Sequence, residues 1–276
     1  MQLILSVKSK LNFICSCILA NPKSKLFEPL LTVLSHFHMA KNNRKVQSMV
    51  HKLWEPLLWR YLKVANSDVR VNATQILSEA FPIENPNDEL EVRASGQEMQ
   101  IRCFHNLLRD EVPDVRVVAV QGVCSILSRF WVIFESTDLQ QFMITMIKDL
   151  ANDMSSPKVR LSVVKGLTHI IQTCPRSHTY LKKILPKLKD LIFDSNDAVR
   201  LAMYDMLIAV KNVKTIQFWN ICPLENILDR LSKDRKPICA KITQLLFNSF
   251  FPLEEDEEAK LERCMFLINH DVTVSR

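Results

Sequence analysis

Apolar residues recur along this chain in a helical pattern that restarts at a Val-Arg pair. The pair stands at Val69, Val115, Val159 and Val199, and a weaker fifth copy carries Ile238 in the valine slot. The fourth, eighth and eleventh positions after each of the four valines are also apolar, which places one stripe on one face of an α-helix. The pattern therefore predicts similar helices whose starting points lie 39 to 46 residues apart.

Residues that start helices precede each of the four full stripes. They are Asn66 and Ser67, Pro113, Ser155 to Pro157, and Ser195 and Asn196. Serine and asparagine side chains accept hydrogen bonds from the unpaired backbone N–H groups of a first helical turn, and proline has no such group to leave unpaired. Each stripe is therefore predicted to begin a new helix.

Other stretches of helix length separate these helices, and the short joins favour antiparallel pairs. The stretches are residues 45–65, 95–109, 138–152, 179–193 and 224–233, with one further pair at 3–20 and 24–40 and a lone helix at 255–268. Helical pairs at this period are typical of HEAT and armadillo repeats. The sequence thus predicts an all-α fold, an α-solenoid of about six HEAT-like helical pairs in a right-handed superhelix.

Composition favours one elongated domain. Three glycines in 276 residues leave little for tight turns or phosphate-binding loops, and 47% hydrophobic residues suffice for a stacked core. Because each repeat contacts only its neighbours, a single repeat segment over residues 1–276 is expected. Its approximate repeats are 1–42, 43–83, 94–131, 138–174, 179–214 and 222–252, with a partial repeat at 254–276.

Positive charge is concentrated in the first quarter of the chain. Residues 1–65 contain ten Lys and Arg residues against two acids, whereas the whole chain has 36 against 30. A basic surface favours polyanions through counterion release, and dispersed lysines suit contacts with DNA phosphates. A solvated helix face is the alternative for each of them. The candidate phosphate contacts are Lys8, Lys10, Lys41, Arg44, Lys45, Lys182, Lys183, Lys187, Lys211 and Lys214.

The arginines that follow the four valines have two interpretations. Stacked guanidinium groups could follow a phosphate backbone, but each lies in a first helical turn, where a cation opposes the helix dipole and needs an acid. Asp110 stands six residues before Arg116, and Asp194 stands six before Arg200. We therefore predict a structural ladder that fixes the stacking of repeats and lapses at Cys239. Its predicted members are Arg70, Asp110, Arg116, Arg160, Asp194 and Arg200.

The remaining motifs point away from catalysis. The eight cysteines form no CxxC pair and no zinc spacing, so they are expected to be small buried residues in a reducing compartment. No phosphate-binding loop, nucleophile elbow or His-Glu-x-x-His motif occurs, and no uncharged run approaches the roughly 18 residues of a membrane span. We expect a soluble intracellular protein that is not an enzyme and has no cofactor, metal or small-molecule substrate.

Several longer strings resemble a known family. The resemblance runs from about residue 11 to the end, and Phe-Trp-x-Ile-Cys-Pro and Asn-Ser-Phe-Phe-Pro are its most specific strings. On these strings the chain resembles the G-type HEAT-repeat, non-ATPase subunits of the condensin II complex. The segments that carry the resemblance are 52–60 (KLWEPLLWR), 66–83 (NSDVRVNATQILSEAFPI), 107–126 (LLRDEVPDVRVVAVQGVCSI), 218–231 (FWNICPLENILDRL) and 247–264 (FNSFFPLEEDEEAKLERC).

The resemblance implies a scaffold that binds the kleisin subunit of condensin II and double-stranded DNA during mitotic chromosome condensation. It places the protein in the nucleus and on chromosomes, with the coiled-coil SMC ATPases as partners through the complex. Members of the family are several times longer, so the resemblance also implies a fragment or a short form. The residues alone leave open a karyopherin- or adaptor-like solenoid that binds linear peptides without DNA, and more remotely a HEAT-like DNA-repair enzyme.

Overall fold

The computed structural model describes residues 18–19, 24–25, 27–251 and 256–270. Within these ranges every regular element is helical and no β-strand occurs. The chain divides into two compact units, residues 1–145 and 146–276. The expectation of one domain over the whole chain stays a prediction.

In the first unit, two helices that begin near a repeat valine pack along each other. These are α4 (Ser67–Ala80) and α6 (Pro113–Phe130), and each of α1 (Phe27–Met39), α3 (Leu58–Tyr61) and α5 (Leu90–Leu107) lies against one or the other of them. A 3-10 turn at Ala40–Asn42 follows α1. The helices are α1 (Phe27–Met39), α2 (Arg44–Trp54), α3 (Leu58–Tyr61), α4 (Ser67–Ala80), α5 (Leu90–Leu107), α6 (Pro113–Phe130) and α7 (Ser136–Ile144).

In the second unit, the central helix is α10 (Asp197–Lys211), which packs against both α8 (Pro157–Thr173) and α13 (Lys236–Phe250). A 3-10 helix at Leu185–Phe193 packs against α10, α11 (Phe218–Ile221) and α12 (Leu224–Lys233). The helices are α8 (Pro157–Thr173), α9 (His178–Ile184), α10 (Asp197–Lys211), α11 (Phe218–Ile221), α12 (Leu224–Lys233), α13 (Lys236–Phe250) and α14 (Glu257–His270).

The repeated apolar stripe forms the core of both units, as the sequence predicts. The residues of the valine slot, from Val69 to Ile238, are at most 8% exposed. Burying a side chain of this size contributes about 1.5–3 kcal/mol, so the stripe is a large part of the folding free energy. The other stripe positions are also buried, namely Ala73, Leu77, Ala80, Ala119, Val123, Ile126, Val163, Leu167, Ile170, Met203, Leu207 and Val210.

The predicted starts of these helices are confirmed by their caps. The side chains of Asn66, Ser156 and Asn196 each accept a hydrogen bond from the backbone N–H two residues later. Pro113 is the first residue of α6. These contacts satisfy first-turn N–H groups locally, which explains why the helix starts are readable from the sequence.

The partner stretches are less regular than predicted. The stretch 45–65 forms two helices, α2 and α3, and Pro56, which lacks the N–H that a continuous helix needs, lies between them. The stretch 179–193 continues beyond α9 as a 3-10 helix, with Pro186 near its start. After α7, the stretch 138–152 becomes a π-helical turn and then a 3-10 turn. Apolar spacings of three and four residues fit all these helix types, so the pattern does not distinguish them.

Candidate interaction surfaces

Three arginines of the ladder each bind a carboxylate of the following repeat. Arg160 shows the full geometry, with Nε donating to Asp194 Oδ2 at 2.6 Å and Nη2 donating to Oδ1 at 2.9 Å. A planar guanidinium matches a carboxylate at two points, which fixes orientation as well as distance. The pairs are Arg70 with Asp110, Arg160 with Asp194, and Arg200 with Asp234.

The same guanidinium groups also hold the turn at the start of their own repeat. Their Nη1 groups donate to backbone carbonyls five to seven residues upstream. In the fifth copy Cys239 occupies the arginine slot, and its Sγ lies 3.1 Å from the carbonyl oxygen of Asp234. The carbonyl acceptors include those of Val64 for Arg70, Asp110 for Arg116, Asp153 for Arg160 and Asp194 for Arg200.

This pairing differs from the one expected from spacing. Asp110 and Asp194 each accept a hydrogen bond at the backbone carbonyl from the arginine of their own repeat, while their carboxylates bind an arginine of the preceding repeat. Asp68, the acid nearest to Arg70 in sequence, is not the carboxylate that Arg70 binds, since that carboxylate belongs to Asp110. Asp234 was not among the predicted members of the ladder, yet its side chain is completely buried between Arg200 and Arg230.

Ion pairing lowers the pKa of the ladder carboxylates. Burial opposes ionisation of Asp194, but hydrogen bonds from Arg160 and from the Asn196 backbone N–H outweigh it, and the pKa lies below its ordinary value. Burial is likewise outweighed by arginine hydrogen bonds at Asp110 and Asp234, whose pKa values are also lowered. The ladder is therefore a set of ionised pairs at neutral pH.

The predicted phosphate contacts are dispersed over the described chain. Lys8 and Lys10 lie outside the described residues, as do Cys15 and Cys17. Arg44 is exposed and donates to the Pro86 carbonyl at 3.1 Å. The remaining candidates are exposed and show no ion pair within the described ranges; they are Lys45, Lys182, Lys183, Lys187 and Lys214.

Two further candidates bind backbone carbonyls at or near helix ends. The ammonium group of Lys41 donates to the carbonyls of residues 80–82 at the end of α4, and Lys211 donates to the Leu245 carbonyl in α13. Burial, reinforced by the charge of Arg129, lowers the pKa of Lys41 to about 8. Three hydrogens engaged with three carbonyls make Lys41 a cap on the end of α4, and its role as a phosphate contact stays a prediction.

The cysteines that the structure describes, from Cys103 to Cys264, are free thiols. Within the described ranges, no group of three or more His, Cys, Asp and Glu side chains is placed to hold a metal ion. No described helix has both the length and the apolar character needed to cross a membrane.

The repeated helical pairs and the buried stripe define an α-solenoid protein of the HEAT and armadillo class. In agreement, the fold is similar to a chain in "Structure of the Pds5-Scc1 complex and implications for cohesin function", with a TM-score of 0.54 and 17% identity. The similarity covers 97% of this chain and 40% of that one.

Residues 7–85 match the family described as "Condensin II non structural maintenance of chromosomes subunit". "Condensin-2 complex subunit G2" of Danio rerio is 39% identical over 94% of this chain and 23% of its own length. The Xenopus laevis protein of the same name is 40% identical over 92% of this chain and 22% of its own length. The chain belongs to the condensin-2 subunit G2 family, and it spans less than a quarter of the length of these relatives.

Proposed function

We propose that this chain is a non-enzymatic scaffold segment of a condensin II complex, which binds the kleisin subunit and double-stranded DNA in mitotic chromosome condensation. The observation that carries the proposal is family membership along more than nine-tenths of the chain. The protein would act in the nucleus and on chromosomes. ATP turnover would belong to the SMC ATPases, which it would meet through the complex.

The geometry of the repeats supports a scaffold role. Paired arginines and aspartates join one repeat to the next within each unit, and the apolar stripe beneath them is closed to solvent. Repeats held in fixed register lose little conformational entropy when an extended segment binds, so the ordering cost falls mainly on the partner. A kleisin chain is a partner of this kind.

Exposed lysines of the second unit support the DNA part of the proposal. Lys182, Lys183 and Lys187 follow one another along α9 and the 3-10 helix after it, and all three are exposed. Lysine contacts of this type neutralise phosphates without reading bases, which gives binding that is independent of sequence and weakens steeply with salt.

The test uses the full-length subunit that contains these residues, because the chain covers only part of its relatives. Pull-down with the condensin II kleisin is expected to retain the subunit, and fluorescence anisotropy with random-sequence duplex is expected to show affinity that falls between about 50 and 200 mM salt. Loss of kleisin binding would contradict the scaffold proposal. Binding of linear peptides with no affinity for duplex would support the karyopherin-like alternative.

A further inference from the structure

A cleft of about 520 Å³ opens in the first unit beside the 3-10 turn after α1 and the ends of α4 and α6. Its lining includes the cations Lys41 and Arg129, the carboxylate of Glu79, and the apolar side chains of Met39 and Phe130. A cavity of this size is in the range of sites that bind small ligands or single side chains. The repeat pattern assigns it no role.

The two cations of the cleft are not neutralised by a close carboxylate. Neither Lys41 nor Arg129 forms an ion pair within the described ranges. Arg129 donates from Nε to the Ser125 carbonyl at 3.2 Å and from Nη2 to the Ser125 hydroxyl at 3.3 Å and the Ser78 carbonyl at 3.4 Å. Burial lowers the pKa of Arg129, as it does that of Lys41, and the charge of Arg129 lowers the pKa of Lys41 further.

The cleft wall also contains a buried contact between two polar side chains. Trp54 Nε1, which can only donate, donates to His38 Nε2 at 3.1 Å, so a neutral His38 carries its hydrogen on Nδ1. His38 is 6% exposed, and its Nδ1 has no hydrogen-bond partner. Glu79 Oε2, which lies 3.7 Å from that nitrogen, has none either. Both atoms are closed to solvent and face each other, so they make the wall polar without reaching the open cleft.

We propose that the cleft binds the carboxylate of an aspartate or glutamate side chain from an extended segment of a partner protein. The charges of Lys41 and Arg129 against that of Glu79 leave one positive charge, which matches a carboxylate monoanion better than a phosphate that approaches two negative charges. The guanidinium of Arg129 and the Ser125 hydroxyl supply donors, and Lys41 supplies positive potential. Met39, which is 82% exposed, offers apolar surface to a neighbouring side chain.

The occupant is a protein segment because of the shape and chemistry of the wall. A free ion would not use the apolar side chains of Met39 and Phe130, whereas the residues that flank an acidic side chain in a peptide would. The residues of this cleft are not the lysines Lys182, Lys183 and Lys187, so the proposal does not rest on the proposed DNA contacts.

The experiment measures fluorescence anisotropy of labelled degenerate peptides with the full chain. One mixture has a fixed central glutamate flanked by apolar residues, and matched mixtures have glutamine or phosphoserine at that position. The glutamate mixture is expected to bind about tenfold more tightly than the glutamine mixture, which is the scale of one charge-assisted hydrogen bond. Equal binding of the two, tighter binding of the phosphoserine mixture, or displacement of the glutamate mixture by duplex DNA would each overturn the proposal.

Variants assign the effect to the cleft. Arg129→Gln is expected to remove the preference for glutamate, whereas Arg102→Gln should leave it unchanged, because Arg102 is exposed and bound to Glu98 on α5. Thermal unfolding verifies that each variant is folded. Ser125→Ala, a smaller change in the same wall, is expected to weaken the preference by about threefold and serves if Arg129→Gln does not fold. If Arg129→Gln folds and keeps the full preference for glutamate, the cleft is not the binding site. If Arg129→Gln does not fold, the same conclusion follows when Ser125→Ala keeps the full preference.

Discussion

Arg160 and Asp194, which are 34 residues apart in the chain, form a salt bridge with two hydrogen bonds of 2.6 and 2.9 Å. Their side chains are 14% and 5% exposed. Because water reaches this pair so little, loss of either partner leaves a charge that solvent cannot fully stabilise. The pair joins consecutive repeats, so its loss should affect the stability of the second unit.

The first prediction concerns that pair. Arg160→Ala is expected to lower the free energy of unfolding by about 1–3 kcal/mol, and Arg116→Ala, at a nearly buried ladder position, by a similar amount. Lys182→Ala, at an exposed site, should change it by less than about 0.5 kcal/mol. Urea denaturation provides the measurement. If Arg160→Ala were silent in stability and instead weakened DNA binding, the ladder would not be structural.

The second prediction concerns pH. The pKa of Asp194 in the folded chain lies below its ordinary value of 3.8. Its carboxylate therefore stabilises the fold fully at higher pH, and this contribution is lost as the pH falls through the lowered pKa. Asp194→Asn should be less stable than the natural chain near neutral pH, and the difference should shrink below about pH 4. Unfolding free energies measured between neutral and acid pH would contradict this if the gap stayed constant.

Replacing either of two helical glycines by alanine should change the stability of the chain, in opposite directions. A Cβ added at Gly122 in α6 would lie 1.9 Å from Ser78 Oγ and 2.8 Å from Ser78 Cβ in α4. Gly122→Ala should therefore separate two packed helices and destabilise the chain by about 1–3 kcal/mol. Gly96→Ala in α5 meets no atom within 4 Å and should stabilise it by about 0.5–1 kcal/mol. The double variant Ser78→Gly with Gly122→Ala should recover part of the stability that Gly122→Ala loses. Thermal unfolding of these variants beside the natural chain would test whether each change raises or lowers stability as stated.

The fourth prediction rests on the proposed DNA contacts. Replacing Lys182, Lys183 and Lys187 by glutamine should weaken duplex binding and reduce the slope of log affinity against log salt by about 0.9 for each phosphate that is no longer neutralised. The matched control replaces Lys233 and Lys241, which pair with aspartates in the same unit. An unchanged slope in the triple variant, or an equal effect of the control, would exclude these lysines as DNA-binding residues.

Much of the fold is encoded locally and is therefore readable from the chain. The starts of α4, α8 and α10 depend on a capping side chain within a few residues, and the buried stripe depends on apolar spacing within one helix. The helices are interrupted at Pro56 and Pro186, where the backbone lacks an N–H group. The prediction used apolar spacing alone and therefore did not place these interruptions. The proline positions were the signal that could have located them.

The sequence by itself determined the class of fold, the repeat positions and the family, because all three are carried by short-range patterns and strings of residues. Only the tertiary structure decided that Arg70 binds Asp110 and not the nearby Asp68, since a helix directs its side chains toward the next repeat. The structure likewise placed Lys41 on the end of α4 and beside Arg129. Those contacts join positions tens of residues apart, and only packing of the repeats brings them within hydrogen-bonding distance.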